Sequence, residues 1–225
     1  MNSIKIIETK DGSHSLLNEK LNETYHSTHG AIQESIYVFI KNGLEFFLSE
    51  NKIQSVNIFE VGFGTGLNAL LTLQFAIEHK IKITYHTIEA FPIPEEIISQ
   101  LNYSDLISSP DGKIMFQKIH QSVWGETVDI NEYFSFKRIS DSIQNIKLPS
   151  TNFEIVFFDA FAPTKQPEMW ELSVLEKTTN ALKTNGVFVT YCAKGQLKRD
   201  LKFLKLKVES LPGPPGKREI VRAVK

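Results

Sequence analysis

The chain has 225 residues, 41% hydrophobic and 23% charged, the balance of an ordinary globular domain with one sizeable core and at most a small appendage. Its net charge of −1 hides an asymmetry, because residues 194–225 hold ten Lys/Arg and three Asp/Glu and leave the body before them at −8. A single cysteine, Cys192, excludes an internal disulfide framework and a Cys-rich zinc cluster, and no apolar run approaches the ~20 residues that span a bilayer.

Residues 4–17 read as two short apolar runs around Lys10-Asp11-Gly12-Ser13, and the Asp-Gly pair predicts a β-hairpin. The start, Met1 to Lys5, lacks the pattern of a signal peptide, so the cytoplasm is the expected location and no membrane partner is expected. The polar stretch Asn22 to Gly30 leads into a helix predicted from Ala31 to Ser49, with Ile32, Ile36, Phe39, Ile40 and Phe47 on one face. Val56 to Val61 is a short buried strand. It runs into Gly62-Phe63-Gly64-Thr65-Gly66, and Leu67 to Glu78 then reads as a helix pressed against a sheet. Ile83 to Ile88 is the next strand, so strand, helix and strand imply a parallel pair with a right-handed crossover.

Residues 91–135 carry weaker signals. Pro92, Pro94 and Glu95-Glu96 suggest a helix start running to about Leu101, and Val128 to Phe136 alternates like an inserted strand. Phe136 to Ile139 then leads to Ser140-Asp141 as a third sheet strand. Phe153 to Phe158 is the clearest strand in the chain and ends at Asp159. After Pro167-Glu168-Met169-Trp170, a helix carries Val174, Leu175, Thr178, Ala181 and Leu182, with Asn185-Gly186 as its stop. Val187 to Tyr191 is a strand, Gly195 to Leu204 a basic helix, and Leu206–Leu211 and Glu219–Val224 two closing strands. The alternation predicts a doubly wound α/β domain with an antiparallel last strand. Residues 1–50 form an N-terminal hairpin and helix extension packed on the domain of residues 51–225, a single domain overall.

In open α/β sheets, ligands bind at the carboxyl ends of the strands. Four of those ends carry an acid here: Glu60, Glu89, Asp141 and Asp159. Gly62, Gly64 and Gly66 stand at alternate positions, which is not the Gly-x-Gly-x-x-Gly spacing of dinucleotide sites, and no Walker lysine follows. Glu60, two residues before the first glycine, suits a ligand with an ammonium group, and S-adenosylmethionine has one. Glu89 lies 23 residues after Gly66, the spacing of a ribose-binding acid, or it is a solvated strand end. Asp141 either sits beside the adenine or caps a following helix. Thr65 and Gly66 bring backbone N–H groups towards the ligand. Asp159 is the candidate for chemistry, as a general base or an orienting acceptor for an amine that must lose a proton before attack. Phe161, Pro163 and Trp170 stand ready to wall off water and stack a base, unless Phe161 and Trp170 are core packing. His14, His26 and His29 have neither a cysteine partner nor carboxylate spacing, so no metal is expected, and Cys192 is read as a buried residue at a strand end.

The chain resembles the bacterial tRNA 5-methylaminomethyl-2-thiouridine methyltransferases, which use S-adenosylmethionine. The resemblance rests on Tyr25-His26-Ser27 with Gly30-Ala31, on Glu60 to Asn68, and on Glu89-Ala90-Phe91-Pro92. It continues through Asp159 to Pro163, Pro167 to Trp170, Thr190 to Gly195 and Pro212 to Glu219. It implies a Rossmann-like methyltransferase fold, Tyr25 and Asn68 as further cofactor-binding positions, and a reaction. The 5-aminomethyl group of the tRNA wobble uridine receives one methyl. Relatives are often fused to an FAD-dependent oxidase. With no second glycine motif here, FAD is not expected, and the oxidase is expected on a separate chain or not required. Lys217 and Arg218, after the penultimate strand, are expected on the same edge as Asp159, at phosphates flanking a flipped-out base. A methyltransferase of the same fold acting on a protein or small-molecule amine, and a non-catalytic or NAD-binding module, are the competing readings.

Overall fold

The computed structural model describes residues 4–107 and 111–225, so the first three residues of the N-terminal segment lie outside the described residues. Strands β1 (Ile4–Glu8) and β2 (His14–Asn18) pair as the predicted hairpin, and the two-residue β3 (Glu23–Thr24) joins β2. The helix that follows has no cap of its own, since Gly30 precedes it. A helix leaves its first N–H groups without internal partners. Here the hairpin turn supplies them: Gln33 N donates to Asp11 Oδ2 at 3.0 Å, and Ala31 N to Ser13 Oγ at 3.2 Å. Hairpin and helix are thereby one unit.

That helix runs in three registers: α1 (Ala31–Ser35), a π-helical segment (Ile36–Glu45) and α2 (Phe46–Glu50). A π segment closes i→i+5 bonds and is wound more widely than an α-helix. Its inward residues therefore step from Glu34 and Ser35 to Val38 and Phe39, and then to Gly43 and Leu44. Ile36, expected on the apolar face, is turned outwards and 43% exposed, because the expectation assumed α periodicity throughout. Gly43 lies flat on the sheet, where a Cβ would come to 2.9 Å from Val189 and 3.0 Å from Phe157.

The main sheet is built in chain order from β4 (Ser55–Val61), β5 (Lys82–Glu89), β6 (Thr127–Asn131), β7 (Phe134–Ser140), β8 (Phe153–Phe158), β9 (Leu182–Thr190), β10 (Lys207–Pro212) and β11 (Glu219–Val224). Across the sheet the order is β10-β11-β9-β8-β4-β5-β7-β6. The central pairs β9-β8, β8-β4, β4-β5 and β5-β7 are parallel, and β11 is antiparallel to both its neighbours. Side chains alternate between two cores, as a period of two requires. Ile58, Ile155, Phe157, Val187 and Val189 face the core under the 31–50 helix and α3 (Leu67–His79), while Phe59, Val156, Phe158 and Phe188 face the other. Each fully buried Phe of this kind contributes ~1.5–3 kcal/mol by transfer alone. The core on the helix side includes Leu16, Ala31, Val38 and Leu44, so residues 4–50 share it with the sheet.

Three expectations are corrected. The single strand read over Val128 to Phe136 is a hairpin, β6-β7, with an irregular register at Asp129/Asn131, which adds an antiparallel edge strand beyond the closing one. The helix from Glu95 ends at Ile98 and is α4 (Glu95–Ile98), and two further short helices follow, α5 (Tyr103–Leu106) and α6 (Gly112–Gln121). The helix after Trp170, α7 (Leu172–Ala181), stops before Asn185-Gly186, and Leu182 already begins β9. Asn185 still marks a break in geometry, with φ of +63°. The basic helix α8 (Gly195–Phe203) lies close to its expected limits.

Candidate active site

The carboxyl ends of the parallel strands meet along one edge. In spatial order they present Tyr191 after β9, Asp159 after β8, the glycine turn after β4, Glu89 at the end of β5, and Asp141 after β7. A cavity of about 1030 Å3 runs along that edge, and the segment from Leu21 to His29 walls its open side. This is at the upper end of the ~300–1,000 Å3 usual for small-molecule sites.

The glycine turn is shaped by contact with its neighbours. Gly62 has φ of +93°, and a Cβ there would collide with the Asp159 carbonyl oxygen. Its N–H and that of Phe63 donate to the Ile88 carbonyl at 3.0 and 3.2 Å, which clamps the turn across β4, β5 and β8. Gly64 N donates to Glu89 Oε2 at 3.0 Å, and Phe91 N to Glu89 Oε1 at 2.8 Å. Thr65 is buried in a polar cluster. Tyr103 OH donates to its Oγ1 at 3.3 Å, His26 Nε2 lies 3.5 Å from the same atom, and His120 Nε2 donates to its carbonyl at 3.1 Å. Burial pushes His26 and His120 down to about 4, so both rings are neutral across the physiological range. Short helices that carried no clear sequence signal thus support the turn from below.

Two acids and one amide form the centre. Asn68, in the first turn of α3, donates from Nδ2 to Glu60 Oε1 at 3.0 Å and to Asp159 Oδ2 at 2.8 Å. Thr87 Oγ1 donates to the second Glu60 oxygen at 2.7 Å. Burial raises Glu60 to about 8, with Asp159 adding repulsion. Burial likewise raises Asp159 to about 7, and Glu34 adds to the effect, while the Asn68 bond and Lys217 oppose it. Asn68 lines the cavity, and its buried Oδ1 has no hydrogen-bond partner among the described residues, so it is an acceptor left open for a ligand ammonium. Among the described residues, no group of three or more His, Cys, Asp and Glu is placed to hold a metal ion, and no helix is long and apolar enough to cross a membrane.

A family described as S-adenosyl-L-methionine-dependent methyltransferase matches residues 115–225. The crystal structure of MNMC2 from Aquifex aeolicus superposes on 99% of this chain and 70% of that one, with a TM-score of 0.79 at 25% identity. The family match covers 111 residues, just under half of the chain. The tRNA 5-methylaminomethyl-2-thiouridine biosynthesis bifunctional protein MnmC of Leptospira interrogans is 30% identical over 219 residues, 91% of this chain and 33% of that protein. Its namesake in Nitrosospira multiformis is 26% identical over 220 residues, 92% of this chain and 35% of that one. The chain spans about a third of the length of the curated relatives it matches. Streptomyces venezuelae DesVI, at 12% identity and a TM-score of 0.51, covers 85% of this chain and 92% of its own and shares the fold.

Several predicted residues meet in the cavity: Tyr25, Gly62, Gly64, Thr65, Asn68 and Glu89 line it, as do Asp141, Asp159, Phe161 and Lys217. Asp141 borders the cavity, but the helix it was expected to cap does not form: a turn follows β7, in which its Oδ1 accepts from Ser142 N at 2.7 Å and Asn145 Nδ2 at 2.9 Å. These bonds hold its carboxyl below the usual range. Glu60 is a correction: it is fully buried behind Asn68 and does not reach the cavity. Gly66 is another, because its N–H donates to Phe63 O at 2.9 Å and serves the turn, with φ of +75° opening α3. Trp170 is core packing, with its ring 4.9 Å from Phe158 and its Nε1 donating to Phe161 O at 2.8 Å. Pro163 lies outside the lining as well. Lys217 turns inwards to Glu34, and Arg218 is the exposed cation of that loop. Sequence reasoning missed Glu34, whose available signal was an acid on the helix face that carries Ala31 and Val38.

Proposed function

We propose that this chain is an S-adenosylmethionine-dependent methyltransferase that acts on the aminomethyl group at C5 of the tRNA wobble uridine and yields the methylaminomethyl product. The supporting likeness is to proteins named for that biosynthesis. The observation that carries the mechanism is Asp159, a carboxyl in the middle of the cavity wall whose proton affinity is raised to about 7.

S-adenosylmethionine, when bound, supplies an electrophilic methyl group. The chain's own residues fit it. Glu89, held by two backbone N–H groups, is assigned to the ribose hydroxyls, and Asp141 at the next strand end to the base. Asn68 Oδ1 is assigned to the ammonium of the amino-acid tail, with Glu60 fixing the amide from behind. Gly62 and Gly64 put no side chain of their own into the cavity they line. Tyr25 rests edge-on against Phe161 at 4.9 Å, and the pair offers an apolar wall to a pyrimidine ring.

What remains is positioning and one proton. A primary alkylamine is protonated at neutral pH, with a pKa near the ~10 of lysine, and has no lone pair to offer. Asp159 is about half ionised near pH 7, so it receives the ammonium, orients it and takes the proton. Arg218 stands beside a second hollow with Tyr191 and Ala193, suited to a backbone phosphate next to an extruded base. The test is incubation of the purified chain with S-adenosylmethionine and tRNA from a strain lacking the modification, followed by mass spectrometry of nucleosides. One added methyl on 5-aminomethyluridines supports the reading. Methylation of a protein extract or of small amines, with tRNA untouched, overturns the substrate.

A further inference from the structure

Glu34 lies in the first turn of α1, 7% exposed, on the cavity wall. One of its oxygens accepts from Ser27 N at 2.7 Å, and the other stands 2.9 Å from Lys217 Nζ. The helix start does not need this acid, because Asp11 and Ser13 already meet its free N–H groups. Lys217 reaches in from the β10–β11 loop, and its ammonium lies 3.6 Å from the centre of the Tyr191 ring. Tyr191 OH in turn donates at 2.8 Å to the carbonyl of Ala160, the residue after Asp159. The loop is pressed into place at Gly216, where a Cβ would overlap His29. Three separate parts of the chain thus hold one ion pair in the cavity that Asp159 also lines. Taking a pair of charges out of water seldom stabilises a fold. A pair fixed this tightly in a reaction cavity acts through its field.

We propose that Glu34 and Lys217 are positioning residues that set the protonation of Asp159, Glu34 holding the proton on and Lys217 drawing it off. This rests on the reading of Asp159 as proton acceptor. Other groups face Asp159 too: the Asn68 amide with Glu60 behind it, the Tyr85 hydroxyl from β5 and the Tyr191 hydroxyl after β9. His26, on the wall shared with Glu34 and Lys217, is neutral. The ion pair offers two removable charges of opposite sign, and that gives the proposal a signature.

The test is a carbon-13 carboxyl NMR titration of the full chain labelled at aspartate, with the Asp159 signal identified by its loss in Asp159→Asn. Glu34→Gln, which keeps an acceptor for Ser27, is expected to lower the Asp159 midpoint, and Lys217→Met to raise it, each on the order of one pH unit. Lys217→Arg keeps the charge and leaves the midpoint in place. The acid limb of kcat/KM for methyl transfer should move the same way in each variant. Packing damage has no reason to move the midpoint in opposite directions. Midpoints that stay put, or that move together, overturn the proposal. If Asp159→Asn retains the acid limb while the NMR midpoints still split, the proton-acceptor reading fails and the field of the pair stands.

Discussion

Replacing Asp159 by asparagine should make the protein more stable and less active, and the two effects should share one pH dependence. A raised carboxyl pKa means that the folded state binds more protons than the unfolded chain between the two values. Stability therefore falls as pH rises from the ordinary 3.8 to about 7. The cost of the ionised side chain is absent below pH ~4 and complete above pH ~7. A displacement of about 3 units corresponds to ~4 kcal/mol when fully developed, and to under ~2 kcal/mol at pH 5. Asparagine removes the charge and keeps an oxygen for the Asn68 Nδ2 donor, so Asp159→Asn should recover up to those amounts at each pH. Methyl transfer at pH 8 should drop ~10²–10⁴-fold, the usual contribution of a placed acid or base. Urea unfolding followed by tryptophan fluorescence at pH 5 and pH 8, beside a methyl-transfer assay on the same preparations, measures both. A variant that is no more stable at pH 8 than at pH 5, relative to its parent, would refute the buried-charge argument. One that retains its rate would remove Asp159 from the chemistry.

Three further outcomes are expected. Gly62→Ala must place a methyl against the Asp159 carbonyl oxygen at a φ of +93°, so a loss of ~2 kcal/mol or more and a weakened cofactor affinity should appear in thermal melts and calorimetry. Thr87→Val removes the 2.7 Å bond to Glu60, whose pKa is about 8, and urea titrations should show ~1.5–3 kcal/mol lost at pH 9, where Glu60 is charged, against ~0.5–1.5 at pH 6. Arg218→Ala should weaken tRNA binding several-fold and reduce the salt slope by about 1, with cofactor affinity unchanged by calorimetry; an unaltered slope would remove Arg218 from the phosphate contacts.

The central strands were legible because they are rich in β-branched and aromatic residues and four of them run up to an acid, as Phe153 to Asp159 does, and a parallel sheet buried on both faces favours such runs. The glycine turn, Glu89 and Asp159 were legible for the same reason: strand ends and glycines are local features. What escaped depends on contacts distant in sequence. Glu60 is identical in sequence terms to a ligand-binding acid, and only Asn68 and Thr87 show that its oxygens are already taken. Lys217 read as an outward cation because its partner, Glu34, lies on a helix far away in the chain. The helices between residues 95 and 121 are too short to establish a period, yet they supply the Tyr103 and His120 bonds that hold Thr65. Trp170 shared its block with exposed residues, and its place in the core depends on Phe158 across the sheet.

The π segment makes the cavity depend on a count of residues and not only on their kinds. Each residue of an α-helix turns the chain by ~100°. Removing any one residue between Ile36 and Glu45 would let the helix relax to α geometry with α2 still seated on the sheet. The tighter winding would offset the lost residue only in part, so the first turn would be left rotated, shifting Glu34 along the cavity wall and Ala31 and Gln33 against the hairpin that caps them. An insertion or deletion here is therefore a change in the reaction cavity, even though every side chain that lines it is kept.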